Sequence, residues 1–346
     1  MKKVFLLAAL LVASMSIMAE EPQSAMNQVV WHHGKVMYSS PIPMVDSITF
    51  AAEIESSDTL HLILPRTIIV HDTVIKEVIV EVHDTIYKCP DEPADPNAPL
   101  AGVFSVSADK QVRFSKGNLQ CTINGTDTAW VFAAHQYDML GKANLNGSVL
   151  ANTIDLFGWS GSTATAKWGI STSTNSSDYS GDFADWGQNI GDGKTWRTLT
   201  NDEWTYLRST RANASNLIGV ARINLDAGGT TYANGLILLP DTWTCPEDIT
   251  FKSGFASTNS VQAYADYQTF TLAQWEKLEA AGAVFLPASG SSAGSSINYV
   301  QNGGYYGSAT PHYSYNAYDL IFYSGGAQWG YDNRFGGRSV RLVQDL

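Results

Sequence analysis

From about residue 100 onward the chain is a succession of short apolar runs cut by Gly, Ser and Asn, and that stretch holds nine of its ten tryptophans. Val112-Arg113-Phe114, Leu119-Gln120-Cys121-Thr122-Ile123 and Trp130-Val131-Phe132 are each strand-like and only a few residues long, with Lys116-Gly117-Asn118 as a turn between the first two. Such runs leave no room for long helices and predict many short strands. Two segments break the pattern. Thr200-Asn201-Asp202-Glu203-Trp204 and Thr271-Leu272-Ala273-Gln274-Trp275 each read as a capping box, with Thr as the cap and Glu203 or Gln274 reaching back. Each then sets Trp and Leu three residues apart on one helix face, Trp204 with Leu207 and Trp275 with Leu278. Each is followed by a glycine-led apolar run ending in Leu-Pro, residues 235–240 and 282–287. Two helices in a field of short strands predict an α+β domain over residues 100–346.

The region before it divides into three. Lys2 and Lys3, the apolar run from Val4 to Val12, small and apolar residues to Ala19 and then Glu20-Glu21 have the order of an export signal, which sets residues 1–19 apart. The apolar run is short for a bilayer-spanning helix, and no second long apolar segment follows, so the mature chain is expected to have no transmembrane segment. Residues 20–55 predict a small β module, with a hairpin around His32-His33-Gly34-Lys35 and a strand at residues 45–50. Residues 56–99 predict an extended, β-like spacer: His71-Asp72-Thr73-Val74-Ile75 is echoed by His83-Asp84-Thr85-Ile86-Tyr87, and β-branched residues crowd 68–82. Four prolines between Pro90 and Pro99 then make a stiff boundary.

Charge narrows the function. A formal net charge of −12, with no basic cluster, repels phosphate backbones and excludes nucleic acid as a partner. Only 16% of residues are charged, so Ser, Thr, Asn, Gly and Tyr must cover the surface, which suits a protein exported to the cell surface, the outer membrane, the periplasm or the medium. Three cysteines cannot all pair; Cys121 and Cys245 either bridge within the domain or stay free, and Cys89 lies in the linker.

Catalytic patterns do not assemble, and an enzyme is not expected. Gly290-Ser291-Ser292-Ala293-Gly294 matches a nucleophile elbow in letters, but no helix signal follows it. His135 and His312 stand alone, without the paired spacing of a zinc site. Asp178, Asp182 and Asp185, with Asp192, line a glycine-rich stretch; they are either calcium ligands or solvated loop acids, and no other cofactor is expected. Asp-Ser/Thr-apolar triplets place candidate glycosylation acceptors at Ser47, Thr59, Thr73, Thr85 and Thr128, against the alternative of chance triplets in β-rich sequence. The aromatic excess is late: Tyr305, Tyr306, Tyr313, Tyr315, Tyr318, Tyr323, Trp329 and Tyr331 lie among Gly, Ser and Asn. Some must fill the core of the last strands. Those in loops, Tyr313, Tyr315, Trp329 and Tyr331, have binding-surface composition: rigid amphipathic rings beside adaptable hydrogen-bonding residues.

Several segments together carry a resemblance. Residues 114–120 (Phe-Ser-Lys-Gly-Asn-Leu-Gln), 155–159 (Asp-Leu-Phe-Gly-Trp), 196–204 (Trp-Arg-Thr-Leu-Thr-Asn-Asp-Glu-Trp), 237–243, 282–288 and the closing Gly337-Arg338-Ser339-Val340-Arg341-Leu342-Val343 recur in that order. The set resembles surface proteins of Gram-negative gut-type anaerobes related to the Fibrobacter succinogenes major paralogous domain, and the ending is similar to the close of C-type-lectin-like and formylglycine-generating-enzyme-like folds. The resemblance implies a C-type-lectin-like domain, no inherited catalytic residues, and fold-locking roles for Arg338 and Arg341. The oxidase chemistry of the second fold needs late cysteines, and none follows Cys245. The expected function is an exported binding or adhesion module recognising a glycan or protein. The alternative is an assembly subunit of a surface polymer, whose residues 68–82 pair with a partner chain.

Overall fold

The computed structural model describes residues 97–346 in full and, before them, only the backbone of four short strands. Two compact units divide the chain, Met1–Tyr87 and Lys88–Leu346. In the first, Met26–His32 pairs antiparallel with Lys35–Ile42, the hairpin expected around His33-Gly34, with an irregular register between Val30 and Trp31. Ile48–Phe50 pairs with Leu11–Ala13, which lies inside the segment read as an export signal. The rest of that signal, the spacer as far as residue 96, Cys89 and the acceptors Ser47, Thr59, Thr73 and Thr85 lie outside the described residues.

The second unit is a mixed α+β body of short strands in open sheets with few helices. Its centre is a four-stranded sheet in the order Thr269–Thr271, Ile218–Asn224, Tyr232–Leu238, Val284–Pro287. The first pairing is parallel and the other two are antiparallel. The two glycine-led Leu-Pro runs are therefore neighbours, with Gly235 opposite Pro287. Gly235 has to be glycine because a Cβ there would lie 2.5 Å from the Leu286 carbonyl oxygen.

A strand sends successive side chains to opposite faces, and both faces of this sheet are buried. Val220, Leu236, Leu238, Val284 and Leu286 point to one core with Trp204, Leu207, Phe104, Phe114 and Tyr306. Ile223, Ala233, Ile237 and Phe285 point to the other, with Trp275, Leu278 and Phe270. The continuous apolar runs are thus strands covered on both sides. The two expected helices are the covers: Asn201–Thr205 brings Trp204 to one face, and Leu272–Ala280 brings Trp275 to the other. Both capping boxes form, Thr200 with Glu203 and Thr271 with Gln274. A third helix, Val261–Tyr267, capped by Ser260, was not signalled by spacing because its only buried side chains are Ala263 and Tyr264.

A second layer closes the unit. The C-terminal strand Val343–Asp345 pairs with Gln111–Phe114, so both ends of the unit share one sheet. Leu119–Asn124, Asp127–Phe132 and Thr153–Ile154 form another sheet over a core of Phe157, Trp186 and Trp196. The last sheet is a meander, Gly303–His312, Asn316–Tyr323 and Gly326–Asn333. Among the described residues no helix is long and apolar enough to cross a membrane.

Of the two alternatives for the cysteines, the unbridged one holds: Cys121 and Cys245 are free. Cys121 points into the core, where burial pushes its thiol up to about 11, while Cys245 is exposed. The elbow pattern at residues 290–294 is a hairpin, Ser291–Ala293 paired with Ser296–Asn298, which lacks the strand–turn–helix that strains and presents a nucleophile.

Candidate functional site: the aromatic end of the meander

The first two meander strands are joined by Tyr313-Ser314-Tyr315, a three-residue loop. Such loops need one residue in the left-handed region, where glycine is favoured. Here that residue is Tyr313, at φ 55°. It is also the most exposed large hydrophobic residue described, at 83%, followed among its neighbours by Tyr315 at 61%, Tyr331 at 53% and Trp329 at 49%. All four residues singled out for binding therefore face water on one sheet, but only Tyr313 and Tyr315 are in a loop: Trp329 and Tyr331, expected in loops, lie on the strand Gly326–Asn333. Tyr305 and Tyr306 are buried and belong to the interior share of the late aromatics.

Register explains the cluster. Tyr318 lies opposite Tyr331, and Trp329 is two residues from Tyr331, so the three share a face. His312, near the end of the first strand, stacks on Tyr331 with ring centroids 3.8 Å apart. It meets Tyr313 and Tyr318 edge-on, at 4.4 and 4.7 Å. Tyr318 makes further edge contacts with Trp329 and Tyr331. Five rings thus form one continuous platform. His312 and Tyr318, which did not stand out as site residues by sequence, are its half-buried foundation.

The loop is held from beneath by Arg334, itself buried. Its backbone N–H donates to the Tyr315 carbonyl at 2.8 Å, and its guanidinium donates to the carbonyls of Tyr313, Asn316 and Gly181. The guanidinium lies 4.8 Å from the centroid of the Trp159 ring. A loop fixed by a buried arginine loses little freedom on binding, which favours affinity. Behind the platform, on the opposite face of the meander, Arg338 donates to Asp319 at 2.6 Å and to Asp332 at 2.8 Å. Burial opposes the arginine's charge, yet the two carboxylates outweigh it and hold its pKa above the usual value. Arg341 is different. It is buried with neutral partners, Asn118 and Gln136, and burial brings it down to about 10. Both arginines thus serve the fold, one by ion pairs and one by hydrogen bonds.

The cleft between Arg338, Asp319 and Trp159 holds about 20 Å³, room for roughly one water and no substrate. A larger, open cleft of about 400 Å³ lies elsewhere, lined by Trp243, Phe251, Ile249 and Cys245. The glycine-rich acids are not brought together as ligands. Asp185 caps the turn at Trp186 and accepts from Thr198, Asp178 accepts from Thr165 and Ser173, and Asp192 folds its own loop. Asp182 acts on Arg334 through its charge. Among the described residues no group of three or more His, Cys, Asp or Glu is placed to hold a metal ion. Thr128, the one described acceptor candidate, is exposed on Asp127–Phe132, and its hydroxyl accepts from Trp130 Nε1 at 3.1 Å.

Comparison with protein-family models, with curated proteins and with solved structures gave no match.

The left-handed Tyr313 supplies a test of selection for binding against stability. A non-glycine residue in that region carries roughly 1–2 kcal/mol of strain. Tyr313→Gly is therefore expected to raise the melting temperature by about 2 °C, after glycine's greater chain entropy takes back part of the gain. Differential scanning calorimetry reads this directly, and a fall of several degrees would show that the ring is structural.

Proposed function

We propose that this chain is an exported, cell-surface binding or adhesion module, with the aromatic end of the meander as its recognition site for a glycan or protein. The observation that supports it most is the joint cost at Tyr313: a large ring held in water on a strained backbone. The strain does not help the fold, and the ring's packing is an edge contact with His312 that leaves most of it in water; a binding role accounts for both. The rings of Trp329 and Tyr331 extend the same platform, and Tyr315 is exposed in the loop beside it. We further propose that the unit from residue 100 to 346 is a C-type-lectin-like domain of the major paralogous type, and that residues 1–19 direct export to the outer membrane, the periplasm or beyond. The proposal is of a binding protein and not an enzyme, because the buried polar groups are engaged in the fold: Arg338 with Asp319 and Asp332, Arg211 with Asp241 and Arg197 with Glu203 and Asp345 as ion pairs, and Arg341 and Asp155 with amide groups.

Screening the mature chain against glycans and surface proteins, with and without calcium, tests the reading. Tyr313→Ala and Tyr331→Ala are each expected to weaken the best ligand at least tenfold, the scale of an aromatic hot spot. A ligand whose affinity is indifferent to both substitutions places recognition elsewhere and overturns the assignment of this site.

A further inference from the structure

The third meander strand, Gly326–Asn333, is paired on one side only. In an antiparallel pair, residues alternate between those whose N–H and C=O face the neighbour and those whose groups face away. The carbonyl of Ala327 accepts from Arg208 at 3.1 Å, and that of Asn333 accepts from the Gly336 N–H at 2.9 Å, so this parity turns outward. Trp329 and Tyr331 share it. Their backbone groups open to solvent beside the exposed rings, with no partner among the described residues.

This edge lacks the usual protections. Natural edges are kept short, or carry lysine, proline or inward charges, because an open row of backbone groups recruits another strand. The edges of the central sheet obey the rule: Thr269–Thr271 has 3 residues and Val284–Pro287 has 4 and ends in proline. The meander edge has 8 residues and contains no lysine, arginine or proline. Its single charge, Asp332, is met by Arg338.

We propose that this edge accepts residues 68–82 of a second copy of the chain as an added β-strand. That segment lies outside the described residues and is the most strand-prone in the sequence, with ten β-branched residues in fifteen and neither proline nor glycine. It is long enough to span the open stretch at Trp329 and Tyr331, between the bonded carbonyls of Ala327 and Asn333. The proline density of residues 90–99 predicts a stiff stretch of sequence between that segment and residue 100. Pairing an edge on one copy with a segment of the next is a head-to-tail contact, which extends into chains wherever the rotation between copies does not close on itself. The inference does not depend on a ligand at the rings; it assigns the backbone beside them.

The test uses the mature chain, residues 20–346. Sedimentation velocity is expected to show a concentration-dependent ladder of oligomers. A labelled synthetic peptide of residues 68–82 is expected to bind the chain at low concentration. Trp329→Pro removes the outward N–H and leaves the inward ladder intact, and it is expected to weaken peptide binding at least tenfold and to remove the ladder of oligomers. Trp329→Ala removes the ring but keeps the N–H, and a loss of threefold or less is expected. A peptide carrying Val74→Pro, which leaves the protein untouched, is expected not to bind. Equal losses with alanine and proline at Trp329, or equal binding by the Val74→Pro peptide, would overturn strand addition. So would a strictly monomeric chain that ignores the peptide. A soluble ligand at the rings is lost alike in both Trp329 variants, which separates failure of this inference from failure of the ring site.

Discussion

Arg338→Ala is expected to lower the stability of the C-terminal unit by about 3–5 kcal/mol, the scale seen when one partner of a buried ion pair is removed. Against a typical domain stability of roughly 5–15 kcal/mol, little would remain. The guanidinium is buried, and Asp319, its nearer partner, is only 3% exposed. Burial already holds the Asp319 carboxyl above its usual range, with Arg338 pulling it back. Without the arginine, one oxygen that accepts from Arg338 at 2.6 Å joins the other, Oδ1, which has no partner even now. The backbone of Arg338 pairs with Phe157, and Ser339 donates its N–H to Tyr305. The loss would therefore loosen the meander's attachment to the rest of the unit. Urea unfolding followed by tryptophan fluorescence measures the difference. Arg338→Met combined with Asp319→Leu is expected to recover at least half of it, since the stranded charge goes with its partner. A loss below about 1 kcal/mol for Arg338→Ala would show that the ion pair contributes little.

The parts of the fold that were legible in the sequence are those set by local chemistry. Capping boxes at Thr200 and Thr271 announce their helices because the cap and its return bond lie three residues apart. The glycine-led Leu-Pro runs are readable as strands buried on both faces because nothing polar interrupts them. What the sequence conceals is pairing at a distance. Ile218–Asn224, the strand at the middle of the central sheet, contains Arg222, which looks like an exposed position. Its guanidinium is in fact absorbed by Asn234, by the Val261 carbonyl and by the Tyr232 ring, none of them signalled locally. The candidate site divides in the same way. Tyr313, Tyr315, Trp329 and Tyr331 stand out because aromatic residues among Gly, Ser and Asn are rarely all interior. His312 and Tyr318 do not stand out, since their place in the platform follows from strand register. The open edge is invisible in sequence altogether, because it depends on which side of Gly326–Asn333 is paired.

Asp155→Asn is expected to change the pH dependence of stability, with a sign opposite to ordinary acid denaturation. Asp155 opens the Asp-Leu-Phe-Gly-Trp segment and is fully buried. Its carboxylate accepts from the Leu140 N–H at 2.8 Å and from the Asn144 amide at 2.7 Å, and Asn144 accepts in turn from the N–H groups of Asp155 and Leu156. Burial outweighs these bonds and raises its pKa to about 6. A carboxyl raised in the folded state binds its proton more tightly there than in the unfolded chain. Its contribution is therefore full below the unfolded value, near 3.8, and is lost as pH climbs through about 6. The loss is roughly 3 kcal/mol, since each tenfold change in proton affinity is worth about 1.36 kcal/mol. Other groups work in reverse: Glu203 and Asp345, held low by Arg197 against their burial, lose stability as pH falls. The isolated signal is therefore the difference between the parent chain and Asp155→Asn in urea unfolding at pH 4, 5, 6 and 7. The asparagine carries no charge at any of these values, but it has one acceptor where the carboxylate has two and meets the Asn144 amide with a donor. It is expected to be the less stable chain at pH 4, where the parent carboxyl is neutral and still free to place its proton. The gap should narrow by roughly 2.4 kcal/mol on going to pH 7, since part of the full change is already lost at pH 4, just above the unfolded value. A gap that stays constant across the range would mean that Asp155 does not titrate between folded and unfolded states, and that its hydrogen bonds, rather than its burial, govern its charge.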